Sequence, residues 1–389
     1  MNEQISRLMQ WMDGKKPGPY SLEFFADVGC NLYCKFCDPD KKEIRGLDFK
    51  VASKILEEAK ELDVKVIRVI GIGDPFIKPE QMTDLMQKIK NYNMFGYTVT
   101  NGTLFNEGQI ERIVRMKWNE IRISLHGPDA KTHDYLVGLE GAFDTVMKNI
   151  NLFNYYKRKF KTDLPRIRIN FVLNKINYPK IIEMISLCKK INCDFVLLPL
   201  EVPDIKNHRF LKNLVLDEKD KIIFSRLAQE AKRKFSGSGI EVMIPYADGK
   251  VVIDKIPKNE ENLSSTFKQV SYQGKKTSEN KRILKTQEKK PLFVNSKCFD
   301  PWLNITIKDY EVFGVCCPSV SYIQNMIFKK ENPENKKYKT LKEIWFSDYF
   351  EKIRKDIIMG KVRGFCYFCC NTDSEWISEN LINGLKNRR

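Results

Sequence analysis

Apolar positions in this chain switch again and again between two periods. Leu22–Ala26 is a short apolar run and reads as a first strand. Phe49, Ala52, Ile55, Leu56, Ala59 and Leu62 then fall at helical spacing. Val66–Ile70 reads as a strand, and Met82, Leu85, Met86 and Ile89 mark a helix opened by Pro79. Tyr97–Thr100 is the third strand, followed by a helix over Ile110–Met116. Ile121–Ser124 is the fourth, followed by a helix over Phe143–Tyr156. Ile167–Leu173 precedes a helix at Ile181–Cys188, and Phe195–Pro199 is a sixth strand. Repeated strand–helix units predict a parallel sheet with helices outside it. Six units with no clear seventh predict an α/β fold built on a partial (β/α)6 barrel, not the closed eight-fold one.

The flanks read differently. Residues 1–20 form an N-terminal extension, a helix over Glu3–Met12 broken by Lys15-Lys16-Pro17-Gly18-Pro19. The barrel occupies 21–215. Residues 216–297 are a linker with an amphipathic helix, Asp217–Phe235, a strand, Ile240–Ile244, and a polar, Lys-rich insertion over 250–292 with weak periodicity. Residues 298–372 return to order. Cys298-Phe-Asp-Pro-Trp302 leads into an alternating strand, Leu303–Ile307, and a turn at Lys308-Asp309. A second strand, Val312–Val315, ends in Cys316-Cys317-Pro318. A helix over Leu341–Ile358 follows, and the run closes with Cys366-Tyr-Phe-Cys369-Cys370. A β-hairpin plus helix with thiols at both ends predicts a compact C-terminal metal-binding domain. Residues 373–389 are a tail.

Composition changes this picture in two ways. The 389 residues are 42% hydrophobic and 30% charged, which suits a folded chain with a sizeable core. No run approaches the ~18 apolar residues of a membrane span, and Met1–Lys16 has no apolar signal region. No membrane partner is expected, and a reducing cytoplasm is the expected home. There, eleven Cys argue for metal ligation and against a disulfide framework. The net charge of +17 admits nucleic acid, an anionic surface or a phosphorylated substrate as partner. No interleaved aromatic and basic base-stacking motif accompanies it, so nucleic acid is not the expected partner. A small, anionic substrate is.

The chemistry centres on Cys30-Asn-Leu-Tyr-Cys34-Lys-Phe-Cys37. Three close thiols can hold three irons of a cubane [4Fe–4S] cluster. The next Cys is Cys188, so one iron would stay open to a small molecule. A structural zinc site is the competing reading, but zinc prefers four ligands and no nearby His or Cys supplies a fourth. In a barrel, chemistry gathers at the C-terminal strand ends. Gly71-Ile-Gly73-Asp74-Pro75, Thr100-Asn101-Gly102 and Ser124-Leu-His126-Gly127-Pro128 fall there. Strand alternation turns Arg122 and Ser124, and Arg168 and Asn170, into the barrel.

With these residues in view, the chain resembles the radical S-adenosylmethionine (SAM) superfamily. The CxxxCxxC triplet, the Gly-Ile-Gly-Asp-Pro stretch, Thr98–Gly102, Ser124–Pro128 and His133-Asp134 before Gly141-Ala-Phe143 carry the resemblance. Residues 298–370 resemble the SPASM/twitch extension of that superfamily. The resemblance implies that Cys30, Cys34 and Cys37 hold the cluster that binds SAM. It implies that Phe36 packs near the adenine and that Gly73 and Asp74 meet the methionine amino group. Thr100, Asn101, Ser124, Asn170 and Arg168 complete the implied SAM contacts. Relatives often carry an Arg after the His-Asp pair. Here Leu136 and Val137 stand there, which leaves Arg122 or Arg168 for that role. Relatives also often carry Asp where His126 stands.

The second thiol set, Cys298, Cys316, Cys366 and Cys369, is similar to that of members with a single auxiliary [4Fe–4S] cluster, such as 2-deoxy-scyllo-inosamine dehydrogenase. Cys317 and Cys370 are alternative ligands, and a four-Cys zinc ribbon is the competing reading. The resemblance implies reductive cleavage of SAM to a 5′-deoxyadenosyl radical, hydrogen abstraction, and two-electron oxidation of an alcohol such as that of a sugar or cyclitol. The auxiliary cluster would accept an electron, and a carrier such as flavodoxin or ferredoxin would supply the first one. A proton acceptor is needed, with His126, Arg168 and Glu201 as candidates. Redox-neutral epimerisation, with Cys317, Cys370 or Cys193 returning a hydrogen atom, is an alternative. Peptide modification is another, although no leader-peptide module is expected before the barrel. Two four-iron clusters predict roughly eight iron per chain after anaerobic reconstitution. A value near four, unchanged by Cys298→Ser and Cys366→Ser, would contradict the auxiliary cluster.

Overall fold

A computed structural model describes residues 3–25, 29–37, 48–71, 73–198, 200, 209–244, 298–308, 310, 313–316 and 339–359. A helix α1 (Glu3–Met12) precedes β1 (Ser21–Phe25). The repeat then runs α2 (Phe49–Glu61), β2 (Val66–Ile70), α3 (Pro79–Asn91), β3 (Phe95–Thr100) and α4 (Glu107–Arg115). It continues through β4 (Glu120–Ser124), α5 (Ala130–Val137), α6 (Ala142–Lys159), β5 (Arg166–Val172), α7 (Ile181–Lys190) and β6 (Asp194–Leu198). α8 (Glu218–Phe235) and β7 (Val242–Met243) follow. After the linker come α9 (Asp300–Leu303), β8 (Asn304–Ile307), β9 (Phe313–Gly314), α10 (Leu341–Trp345) and α11 (Asp348–Ile358).

All six expected strand–helix units are present. Among the described residues one sheet runs β7-β6-β5-β4-β3-β2-β1-β8-β9, with every neighbouring pair parallel except β8 and β9. The sheet is an open, partial barrel. One face is apolar: Leu22, Phe24, Ile67, Val69, Ile121, Ile123, Ile167 and Ile169 are buried in one core with the helices. The alternate positions, Glu23, Arg68, Tyr97, Arg122 and Arg168, share the inner face. Period-two alternation therefore yields a greasy exterior under helices and a polar lumen.

Three features depart from the expected elements. α5 was not expected; eight residues are too few for a clear period. Asp129 caps it by accepting from the Thr132 N–H, and Gly138 ends it in the left-handed conformation. The expected helix over Leu341–Ile358 is two helices, because Ser347 stops the first and caps the second, accepting from the Phe350 N–H. Ile240–Ile244 pairs only over Val242–Met243, yet those residues add a seventh parallel strand beside β6.

The C-terminal hairpin does not stand apart from the barrel. β8 lies parallel to β1, pairing Ser21 with Asn304 and Phe24 with Ile307, and so extends the barrel sheet. Its Thr306 hydroxyl donates to Glu23 at 3.1 Å inside the lumen. The N-terminal helix is equally integrated: Ile5, Leu8 and Met9 pack on Phe299, Trp302 and Leu303. Arg354 binds the two regions. It donates to the Pro301 and Trp345 carbonyls and lies 4.5 Å over the Trp11 ring. The insertion at 250–292, Glu201, Cys317, Cys366, Cys369, Cys370 and the tail lie outside the described residues. No helix among the described residues is long and apolar enough to cross a membrane.

Candidate active site

Cys30, Cys34 and Cys37 sit half-buried on the loop after β1. The loop is fastened from two sides. Asn31 donates to Thr103 Oγ1 at 2.9 Å, and Asn101 Nδ2 donates to Asn31 Oδ1 at 2.9 Å, which ties the loop to the end of β3. Tyr33 and Lys35 donate their backbone N–H groups to the Val137 and Leu136 carbonyls at 2.9 and 2.8 Å, which ties it to the end of α5. Gly138 permits that approach, since a Cβ there would lie 2.7 Å from the Tyr33 carbonyl oxygen. Cys30 Sγ accepts from the Leu32 N–H at 3.4 Å and from Asn101 Nδ2 at 3.8 Å. Hydrogen bonds to sulfur are one of the levers a protein has on a cluster.

Asp74 is the hub beneath this loop. Its backbone N–H donates to Gly29 at the loop entrance, 3.1 Å away. Its carboxylate is 1% exposed and accepts from the Phe76 N–H (2.9 Å), the Thr100 hydroxyl (2.9 Å) and the Asn101 N–H (2.6 Å). Burial pushes its pKa up, and the backbone and hydroxyl donors pull it back. Its oxygens hold the ends of β2 and β3 in place. Gly73, at φ +99°, supplies the turn that delivers it.

Ser124 and Asn170 are paired across β4 and β5 at their C-terminal ends. Asn170 is buried, and its Oδ1 has no hydrogen-bond partner. A buried amide oxygen left so costs about 1–3 kcal/mol. Ser124 is half-buried beside it.

His126 and Arg168 were expected as catalytic candidates, and the structure gives both of them protein partners. His126 is buried, and its Nδ1 accepts from the Val172 N–H at 3.2 Å. Burial first, and His133 second, hold its pKa well below the usual value. Its available lone pair is therefore in use, so it is a poor proton acceptor. Its ring instead meets Phe36 edge-on at 4.8 Å and fixes the residue before Cys37. Arg168 lies deeper in the lumen, opposite Asp194, the first residue of β6. Glu120 Oε2 at 3.0 Å and Glu241 Oε2 at 3.1 Å hold its guanidinium. Arg122 is held in the same way by Glu120 at 2.7 Å and lies 4.3 Å over the Tyr97 ring. Neither arginine is at the C-terminal strand ends, where the cysteine loop sits. Arginines facing inward near strand starts find acidic neighbours from strand starts; that parity argument had no depth information. Cys193 is buried just before β6, at the strand's opposite end from the cysteine loop, with burial pushing its thiol up to about 12.

Of the auxiliary thiols, Cys298 precedes α9 and Cys316 follows β9, both half-buried. The β8–β9 register turns Cys316 back toward the Asn304 end of the hairpin, level with Ser21 at the start of β1. Cys316 therefore lies toward the end of β1 opposite the cysteine loop. The length of β1 alone separates them by about 13 Å at 3.3 Å per residue.

Sequence reading missed Asn31, Thr103, Asn174 and Asn177. Asn177 Nδ2 donates to the His126 carbonyl at 3.0 Å, and its Oδ1 accepts from the Asn174 N–H at 2.8 Å. A polar Asn-Lys-Ile-Asn run directly after β5 was the available signal. Among the described residues no three His, Cys, Asp or Glu side chains converge as a ready metal grip.

The model described as the Radical SAM superfamily matches residues 28–161. The chain is 24% identical over 233 residues to the PqqA peptide cyclase of Gluconobacter oxydans, covering 58% of this chain and 62% of that protein. It is 26% identical over 193 residues to a probable dual-specificity RNA methyltransferase RlmN of Finegoldia magna, covering 46% and 54%. The chain thus spans less than two thirds of the length of these relatives. Its fold is similar to Streptococcus suis SuiB bound to precursor peptide SuiA, with TM-score 0.59 and 17% identity, over 90% of this chain and 70% of that one. A radical SAM core binds a [4Fe–4S] cluster and SAM. The donor set here fits both: three thiols on one fastened loop, and an unpartnered buried acceptor, Asn170 Oδ1, at the facing strand end.

The buried histidines generate a pH prediction. His133 is fully buried, and burial lowers its pKa from 6.5 to about 4. A depressed pKa adds stability above the unfolded value of 6.5, and that stability is lost as pH falls toward 4. Urea unfolding should show a loss on the order of 3 kcal/mol across this window. His133→Gln should flatten the slope; an unchanged slope would contradict the assignment.

Proposed function

We propose, from the premise that residues 28–161 form a radical SAM core, that this chain oxidises a polar substrate by hydrogen-atom abstraction, taking an alcohol carbon of a sugar or cyclitol to a ketone. The observation that carries the reading is the meeting of the cysteine loop, the Asp74 hub and the unpartnered Asn170 Oδ1 at one set of strand ends. Cys30, Cys34 and Cys37 would hold the cluster. When bound, the cluster and SAM supply a 5′-deoxyadenosyl radical. Asn101 and Leu32 donate to Cys30 Sγ and hold it in place. Phe36, braced by His126, would cover the ligand on one side, and Asn170 Oδ1 would accept one of its donors. The polar lumen, with Glu23, Arg68, Tyr97 and Arg122, supports a hydrophilic substrate over an apolar one. Cys298 and Cys316, with Cys366 and Cys369, would hold a single auxiliary cluster, as in 2-deoxy-scyllo-inosamine dehydrogenase. Glu201, outside the described residues, would be the proton acceptor.

A second reading is peptide modification. The likeness to PqqA peptide cyclase and the fold shared with SuiB over most of this chain favour it. One experiment separates the two. The reconstituted protein, SAM and dithionite should yield 5′-deoxyadenosine, and Cys34→Ala should reduce it to background. Absence of that product from the unsubstituted protein would overturn the radical SAM reading. In deuterated water, a nucleotide-sugar or cyclitol panel should give a ketone without carbon-bound deuterium. Deuterium at carbon would indicate epimerisation, and turnover of peptides alone would select the second reading.

A further inference from the structure

The end of the barrel away from the cysteine loop carries a second concave feature. α6 and α7 run back against the strand direction, so both finish beside the starts of β5 and β6. Between those helix ends lies an open cleft of about 600 Å³, lined by Lys157, Arg158, Lys161 and Lys190, with Asp163 as its one carboxylate. Asn154 braces the wall by donating to the Ile191 carbonyl at 2.9 Å. The carboxylates within the two helices, Asp144 and Glu183, sit in their first turns, at the other end of the barrel. Asp194 is taken by Arg166. On the α4 side Glu107 accepts from Tyr156, and Glu111 from Arg115. Among the described residues none of the four cations lining the cleft forms an ion pair, whereas Arg115 and Arg166 both do.

The sequence reading passed over Tyr155-Tyr156-Lys157-Arg158-Lys159-Phe160-Lys161, where aromatic and basic residues interleave at the end of α6. The helix sorts them by side. Tyr156 and Phe160 turn toward α4, stacked with ring centroids 5.8 Å apart, and Arg115 lies 4.2 Å over Phe160. Lys157 and Lys161 turn into the cleft. Tyr155 is 49% exposed, braced edge-on by Tyr156 at 5.1 Å, and lies one turn from Asn151 and Arg158 on the cleft wall. Cations in a last helical turn ordinarily answer the helix dipole. That accounts for one charge at each helix end, not for four converging on one concave wall. Lys157 is half-buried there, and burial lowers its pKa, a cost that a bound anion offsets. A phosphodiester chain presents a series of anions to such a wall, and its bases stack on aromatic rings. An exposed tyrosine at the rim favours that chain over an acidic peptide. We propose that this cleft binds a single-stranded nucleic acid, with phosphates on Lys157, Arg158, Lys161 and Lys190 and a base stacked on Tyr155.

The test uses the reconstituted full chain and a fluorescein-labelled oligouridylate of about 12 nucleotides as the probe. Binding is read by fluorescence anisotropy between about 50 and 200 mM salt. Four phosphate contacts predict saturable binding with a slope of log K against log salt near about −2.8. The double variant Lys157→Gln, Lys161→Gln should flatten that slope by about 1.4. Tyr155→Ala should weaken binding about tenfold at every salt concentration and leave the slope unchanged, and Tyr155→Phe should restore the affinity. Thermal melting checks that each variant is folded. If the double variant is not, the exposed Lys190→Gln replaces it, with an expected change of about 0.7 in slope. No saturable binding by the unsubstituted chain would overturn the proposal. So would a wild-type slope in the lysine variants, wild-type affinity in Tyr155→Ala, or displacement of the probe by polyglutamate as readily as by unlabelled oligouridylate.

Discussion

One buried carboxylate constrains the whole mouth of the barrel. Asp74 receives the N–H groups of Phe76 and Asn101 and the Thr100 hydroxyl, while its own N–H holds Gly29. Burying a charge this deeply is costly unless donors surround it. Here the donors come from the ends of two neighbouring strands. Satisfying the carboxylate therefore fixes those ends relative to each other and to the entrance of the cysteine loop. Asn101 extends the same network from its side chain to Asn31 and Cys30 Sγ. The position of the first thiol thus follows from how one acid is solvated by protein.

The lumen follows the same rule with opposite charges. Glu120 and Glu241 neutralise Arg168, Glu120 also takes Arg122, and Glu23 stands 3.6 Å from Arg68 with Thr306 donating to it. The last contact matters for architecture, because Thr306 belongs to β8. The C-terminal hairpin is bound to the barrel by a parallel ladder on β1 and by a polar contact in the lumen. Cys316, just after that hairpin, is therefore held relative to the cysteine loop through β1.

Much of this was legible in the sequence, for definable reasons. The six strand–helix units announced themselves because one face of each strand is buried under helices, so period-two and period-3.6 patterns both survive. Asn170 was legible as an inward residue by alternation, though its unpartnered oxygen was not. Alternation gives side but not depth, so it turned Arg168 into the barrel without showing that its partners lie among the strand starts. His126 read as a candidate base because sequence shows a titratable group and not the Val172 N–H that occupies its Nδ1. Asn31 and Asn177 escaped notice because their work is done on the backbone of distant loops. The attachment of β8 to β1 could not be read either, since nothing local to Asn304–Ile307 says which edge it will join.

The central claim is that the Cys30 loop holds a site-differentiated cluster whose ligand reaches Asn170. A crystal structure of the anaerobically reconstituted protein with SAM tests it most directly. The account predicts Cys30, Cys34 and Cys37 Sγ on three irons of one cluster, with a ligand N–H or O–H donor at hydrogen-bond distance from Asn170 Oδ1. A metal closed by a fourth protein ligand at this loop, or SAM bound away from Asn170, would contradict it.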